Sequence, residues 1–128
     1  KEEEFLFPML EARGILRQGG PIGVMMSEHT IGRQCIRRMD AAISHLPIDT
    51  QAFVEASEHY LTLLRQHIKK ENDILFHMAD SVLSEEDDSI LVKEFRAAMD
   101  EDRESALGNH CKAELKSWEE VFREGQAA

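Results

Sequence analysis

Apolar residues recur at intervals of three and four along most of the chain. Ile22, Met25, Met26, His29, Ile36, Met39, Ile43 and Leu46 fall on one face of a helix opened by Pro21, a residue suited to a first helical position. A long segment begins after Asp49 or Thr50, either of them an acceptable N-cap, and ends near Leu83. Its expected buried stripe is Phe53, Ser57, Tyr60, Leu64, His67, Glu71, Ile74, Leu75 and Met78. Ahead of these, Lys1 to about Arg13 reads as the end of a helix stopped by Gly14. Behind them, Ser84 precedes four acids placed where a helix N-terminus favours negative charge, and Ile90, Leu91, Phe95, Ala98 and Met99 give that helix its apolar face. A last helix, about Asn109 to Glu124, presents Leu115, Trp118, Val121 and Phe122. No glycine lies between Arg33 and Leu107, and Asn-Gly and Asp-Gly hairpin signals are absent. The expected fold is all-α.

Composition narrows the picture. At 128 residues, 42% hydrophobic and 31% charged, the chain has the length and the apolar content of one ordered domain. Twenty-five acids against fifteen bases give a net charge of −10, which argues against nucleic acid or an anionic membrane as partner, since phosphate binding calls for a basic face. No apolar run approaches the length of a membrane span, and the charged opening Lys1 to Glu4 does not resemble a secretory signal. Cys35 and Cys111 do not make a disulfide framework; reduced thiols in a cytoplasmic protein are the expectation.

The chain also contains a short internal repeat. Lys1-Glu2-Glu3-Glu4-Phe5-Leu6-Phe7-Pro8-Met9-Leu10 aligns with Lys70-Glu71-Asn72-Asp73-Ile74-Leu75-Phe76-His77-Met78-Ala79, with Lys, Glu, Leu, Phe and Met identical. Two copies of one helix, opposed in a bundle, present equivalent side chains to one centre. In the second copy His67 precedes Glu71 by four residues, so imidazole and carboxylate share a helix face one turn apart. The register picks out Glu2 as the counterpart of Glu71, and predicts a histidine in a longer parent chain three residues before Lys1. His29, His67 and Glu71 all fall within apolar stripes, where such groups are costly unless paired or bound to metal. Imidazoles and carboxylates projecting from facing helices are how di-iron and di-manganese sites are built.

These stretches resemble the hemerythrin-like (HHE cation-binding) family. The resemblance lies in Lys1-Glu2-Glu3 with Leu6-Phe7-Pro8-Met9-Leu10-Glu11, in Gly20-Pro21-Ile22-Gly23-Val24-Met25 leading to Glu28-His29, and in His67-Ile68-Lys69-Lys70-Glu71-Asn72 with Leu75-Phe76. It spans about Lys1 to Leu83. It implies an antiparallel hemerythrin-like helical bundle, incomplete at the N-terminus, with an extra C-terminal helical segment. A single domain over 1–128 is expected, with the metal-site core at about 1–83 and a C-terminal helical extension at 84–128. The family places one histidine on its first helix, His-x-x-x-Glu on the second, one histidine on the third and His-x-x-x-Glu on the fourth. Carried over, Glu2 matches the second-helix carboxylate, His29 the third-helix histidine, and His67 with Glu71 the fourth-helix pair. The first helix and the second helix's histidine have no counterpart in this sequence.

The resemblance implies a non-haem di-iron centre in which Glu2 and Glu71 bridge the metals while His29 and His67 each cap one, with manganese as the alternative metal. Oxygen, nitric oxide or a similar small ligand is the implied partner, and binding or sensing of that ligand, or of iron or oxidant status, is the implied function. Two other readings stand beside it: an enzyme that reduces peroxide or nitric oxide or supports iron–sulfur repair, and a metal-free helical interaction module. Apolar faces left open by the absent first helix favour association, a homodimer included. Glu28 reads either as a group that gates access to the site or orients a ligand, or as an exposed ion-pair partner, and the Ser84 to Ser89 stretch as surface helix and turn. His45, His59, His77 and His110 are assigned surface or packing roles.

Overall fold

The computed structural model describes residues 1–126, and among them every regular element is helical. Helix α1 is a π-helical turn, Glu2–Leu6, running directly into the α-helix Phe7–Ala12. Helix α2 spans Pro21–Ser44. Helix α3 starts as Thr50–Lys70, passes through a second π-helical turn, Glu71–Leu75, and finishes as Phe76–Val82. Helix α4 is Glu85–Glu104 and α5 is Ala106–Gln126. No helix among the described residues is long and apolar enough to cross a membrane.

The ends follow from local chemistry. α1 stops at Gly14, whose φ of +92° is open to glycine without strain. There the Gly14 N–H donates to Glu11 O and the Ile15 N–H to Leu10 O, the paired bonds of a glycine-closed helix end. Pro21 opens α2, and the Asp49 carboxylate caps α3 by accepting from the Ala52 N–H at 3.0 Å. Ser84 and Asp87 form a reciprocal capping box at the start of α4. Gly108 lies inside α5; a Cβ there would meet the Asp102 carbonyl at 2.0 Å, so glycine lets the first turn of α5 sit against the end of α4.

Two antiparallel pairings organise the bundle. Along α2 and α3, Met39 meets Ser57, Cys35 lies 3.6 Å from His59, and His29 lies 3.1 Å from His67, so one helix descends as the other rises. Gly32, Cys35, Ala42 and Ala56 are the buried residues of this contact, and their small side chains let the two backbones approach closely. α1 and α4 run antiparallel in the same manner: Lys1 bonds the Ala98 carbonyl, Phe5 packs edge-on against Phe95, and Arg13 grips Asp87. The core joins both pairs, through Leu6, Phe7 and Leu10 of α1, Ile22 and Met25 of α2, Leu75 and Ala79 of α3, and Leu91 of α4.

Several expected stripe positions turn out differently. Ile36 and Ile43 of the first expected stripe are exposed, because Cys35 and Ala42 one position away make the α2–α3 contact instead, and Leu46 is exposed beyond the end of α2. In α3, Ile74 and Phe53 are exposed while Leu75 and Ala79 are buried. The π turn is the reason that Leu75 and Ala79, rather than Ile74, face the core. A regular helix advances 3.6 residues per turn, so positions four apart drift about 40° at each step. The added residue of a π turn absorbs that drift and keeps His67, Glu71, Leu75 and Ala79 on one face. In α4 only Leu91 of the expected face is fully buried. Leu107, Leu115, Trp118 and Val121 of α5 are 60–72% exposed, so its apolar face has no partner among the described residues; the side chain of Phe122 lies outside them.

The Ser84 to Ser89 stretch holds a buried carboxylate rather than only surface. Asp87 accepts two hydrogen bonds from Arg13, at 2.6 and 2.9 Å, which tie the start of α4 to the end of α1. That fork, with the Ser84 backbone N–H, holds the Asp87 carboxyl well below the ordinary carboxylate range. Its contribution is present above the unfolded value of about 3.9 and fades as pH falls toward the depressed folded value. Asp87→Asn is therefore expected to lower the thermal midpoint at pH 7, with the gap to the native chain shrinking steadily below about pH 4. Leu75→Ala, which empties a fully buried site, should cost about 2–5 kcal/mol in urea denaturation at any pH in that range.

Candidate metal centre

Each π turn begins on an acid. Glu2 opens the first and Glu71 the second, and the Phe7 and Phe76 N–H groups donate back five residues, to Glu2 O and Glu71 O respectively. The repeat is thus structural as well as sequential: equivalent glutamates, equivalent widened turns, and equivalent leucines, Leu6 and Leu75, directed into one core. π turns inside α-helices are frequent at functional sites.

The four residues singled out from the sequence meet. Glu2, His29, His67 and Glu71 each offer one donor atom within 4.8 Å of all the others. Nε2 of His29 stands 3.3 Å from Glu2 Oε2 and 3.1 Å from Nε2 of His67, which stands 3.0 Å from Glu71 Oε1. Phe7 stacks on the His29 ring with centroids 5.9 Å apart and planes 15° from parallel, so the imidazole is held by an apolar face from α1. His67 is buried and Glu71 nearly so.

The outward nitrogens are equally occupied. His29 Nδ1 is 2.7 Å from Glu3 Oε1, and His67 Nδ1 is 2.9 Å from Glu28 Oε2. Glu3 also receives a hydrogen bond from Arg33 at 2.9 Å, and Glu28 one from Lys70. Glu28 therefore sits against His67 with its side chain 11% exposed, which settles its position between the two sequence readings in favour of contact with a site histidine. Glu3 was hidden in an acidic run that reads as solvated surface; its only sequence signal is adjacency to Glu2.

Electrostatics sharpen the geometry. Arg33's hydrogen bond leads the interactions that bring the Glu3 carboxyl below its ordinary value. Burial works to raise the Glu28 carboxyl, but the hydrogen bonds from Lys70 and His67 outweigh it and leave it lowered. Glu71 moves the other way: burial first, then the like charge of Glu2, push its carboxyl up. Ionised carboxylates only accept, so the two Nδ1 atoms carry the protons and, in neutral rings, both Nε2 atoms present lone pairs to each other. Two such lone pairs 3.1 Å apart, flanked by two carboxylates, are relieved by a shared proton or by a metal ion placed between them. Nitrogen and oxygen donors without thiolate suit iron, manganese or zinc, and neither cysteine joins the group.

The other histidines lie elsewhere: His45 bonds the Pro47 carbonyl, His59 lies beside Cys35, and His77 and His110 are exposed. A cavity of about 290 Å³ reaches the two central histidines between α2 and α3, walled by Ile36, Tyr60, Leu63 and Leu64.

Comparison with known proteins agrees with this geometry. Residues 1–79 match the model of the hemerythrin HHE cation binding domain. The chain is 37% identical over 86 residues to the iron-sulfur cluster repair protein YtfE of Musicola paradisiaca (strain Ech703), an alignment covering 62% of this chain and 38% of that protein. The chain thus spans well under two thirds of that relative's length. No solved structure gives a significant match.

The raised Glu71 carboxyl has a stability consequence. Stability from its extra proton affinity is present below the ordinary carboxylate value and is lost as pH rises through the raised one. Glu71→Gln removes that penalty. The cation-free variant should melt above the native chain at pH 7 by differential scanning calorimetry, while its affinity for Mn²⁺ falls at least about tenfold.

Proposed function

The chain belongs to the hemerythrin HHE cation-binding family, and from that premise we propose that Glu2, His29, His67 and Glu71 hold a carboxylate-bridged non-haem di-iron centre that binds or senses oxygen, nitric oxide or oxidant status. The observation that carries this reading is the convergence of one donor atom each from two imidazoles and two carboxylates within 4.8 Å, a donor set that suits a metal cation. When bound, the iron pair supplies a change of oxidation state and an open coordination position for a small ligand.

The chain's own residues do the rest. His29 and His67 would offer Nε2, and Glu2 and Glu71 carboxylate oxygens, to the bound metal. Stacking by Phe7 limits the swing of the His29 ring. Ile36, Leu63 and Leu64 line an approach that favours a small apolar molecule over water, with the Tyr60 ring beside them. Manganese is the alternative occupant of the same donors.

A second reading draws on the printed role of the relative from Musicola paradisiaca, iron–sulfur cluster repair. In that reading the same donors hold iron for delivery or for turnover of peroxide or nitric oxide. Elemental analysis of the purified chain, loaded with ferrous iron without oxygen, is expected to give about two irons per molecule for a dinuclear centre. Far less retained iron would count against it. Steady consumption of nitric oxide or peroxide by the loaded protein, abolished in His67→Ala, would select the enzymatic reading over simple binding.

A further inference from the structure

Two carboxylates stand next in sequence to candidate ligands without being among them. Glu3 follows Glu2, and Glu28 precedes His29. Neighbouring residues on a helix diverge by about 100°, so when one member of each pair aims at the centre, the other aims sideways toward an adjacent helix. Glu3 crosses from α1 to α2, where its Oε1 takes hydrogen bonds from His29 Nδ1 and Arg33. Glu28 crosses from α2 to α3, where Oε2 accepts from His67 Nδ1 and Oε1 from Lys70.

The two arrangements share one plan. A histidine and a cation stand three or four residues apart on one helix, and together they close on a carboxylate sent from the preceding helix. Resting on the metal-centre reading above, we infer that Glu3 and Glu28 are positioning residues, each fixing one imidazole as the tautomer with its proton on Nδ1 and its lone pair directed inward. Arg33 and Lys70 hold the two carboxylates in place. A neutral imidazole without such an acceptor distributes its proton over both nitrogens, and the form protonated on Nε2 cannot ligate. The hydrogen bond also makes Nε2 a stronger donor. Because each added carboxylate is matched by a cation, the outer ring brings no net charge, and only Glu2 and Glu71 oppose the charge of a bound ion. The plan also links the helices in order, α1 to α2 through Glu3 and α2 to α3 through Glu28.

The test uses the full chain and its Glu3→Ala, Glu28→Ala and Glu28→Gln variants, with helical circular dichroism confirming that each is folded. Titration with Co²⁺ alone, read by its visible absorption, should show affinity falling about 10- to 100-fold in both alanine variants. Glu28→Gln keeps an oxygen that accepts from Nδ1–H and should recover most of that loss. In the metal-free protein, imidazole ¹⁵N shifts should report the Nδ1–H tautomer at His67 in the native chain and in Glu28→Gln, and a mixture in Glu28→Ala. Native affinity and an unchanged tautomer in Glu28→Ala would overturn the assignment, as would a glutamine variant as impaired as the alanine one. A native chain that takes up no Co²⁺ would instead remove the metal-centre reading, with the nitrogen spectra still deciding the tautomer.

Discussion

Lone pairs and negative oxygens repel when they are gathered in a low-dielectric interior, and this chain gathers four such donors within 4.8 Å. Their convergence has to be held by something stronger than their repulsion. The holding comes from around them: Phe7 against one ring, Glu3 and Glu28 on the outward nitrogens, and the Leu6, Phe7, Leu10 and Leu75 core immediately below. The raised Glu71 carboxyl is the local sign of this cost, burial first and then the like charge of Glu2. Such tension is what an exchange of stability for chemistry would leave at a candidate metal centre.

The bundle confines that tension between two close-packed regions, the apolar core on one side and a small-residue pairing on the other. Beyond the donors, α2 and α3 continue as a close pairing of small residues at Gly32, Cys35, Ala42 and Ala56. Behind α1, the Arg13–Asp87 fork fixes α4, so the short first helix is pinned at its far end by a half-buried ion pair and at its near end by the candidate site. The glutamates of α1 thereby come from a segment braced on both sides rather than from a fraying end.

Much of this was legible in the sequence. Helix ends declared themselves through Gly14, Pro21, Asp49 and Ser84, each with a physical role that depends only on local backbone groups. His29, His67 and Glu71 stood out because polar groups interrupted apolar stripes, and Glu2 emerged from the register of the repeat alone. What stayed hidden depends on a second helix. Asp87 looks like its acidic neighbours until Arg13 is placed against it, and Glu3 looks like Glu4 until His29 is. Ile36 and Ile43 follow helical spacing as well as their smaller neighbours do, and only the closeness of α3 decides between them. The widened turns were invisible because a one-residue phase shift leaves no compositional trace.

Those turns reach beyond the donors they open. An extra residue rotates everything downstream of it by about 100° relative to an unbroken helix. Past Leu75, that rotation brings Ala79 into the core, with Val82 packed against its margin. Past Leu6, it does the same for Leu10, and so sets where Ile15 lands as the chain turns back. The widening that seats each glutamate therefore also steers the exit of its helix, and a one-residue deletion in either turn would displace glutamate and scaffold together.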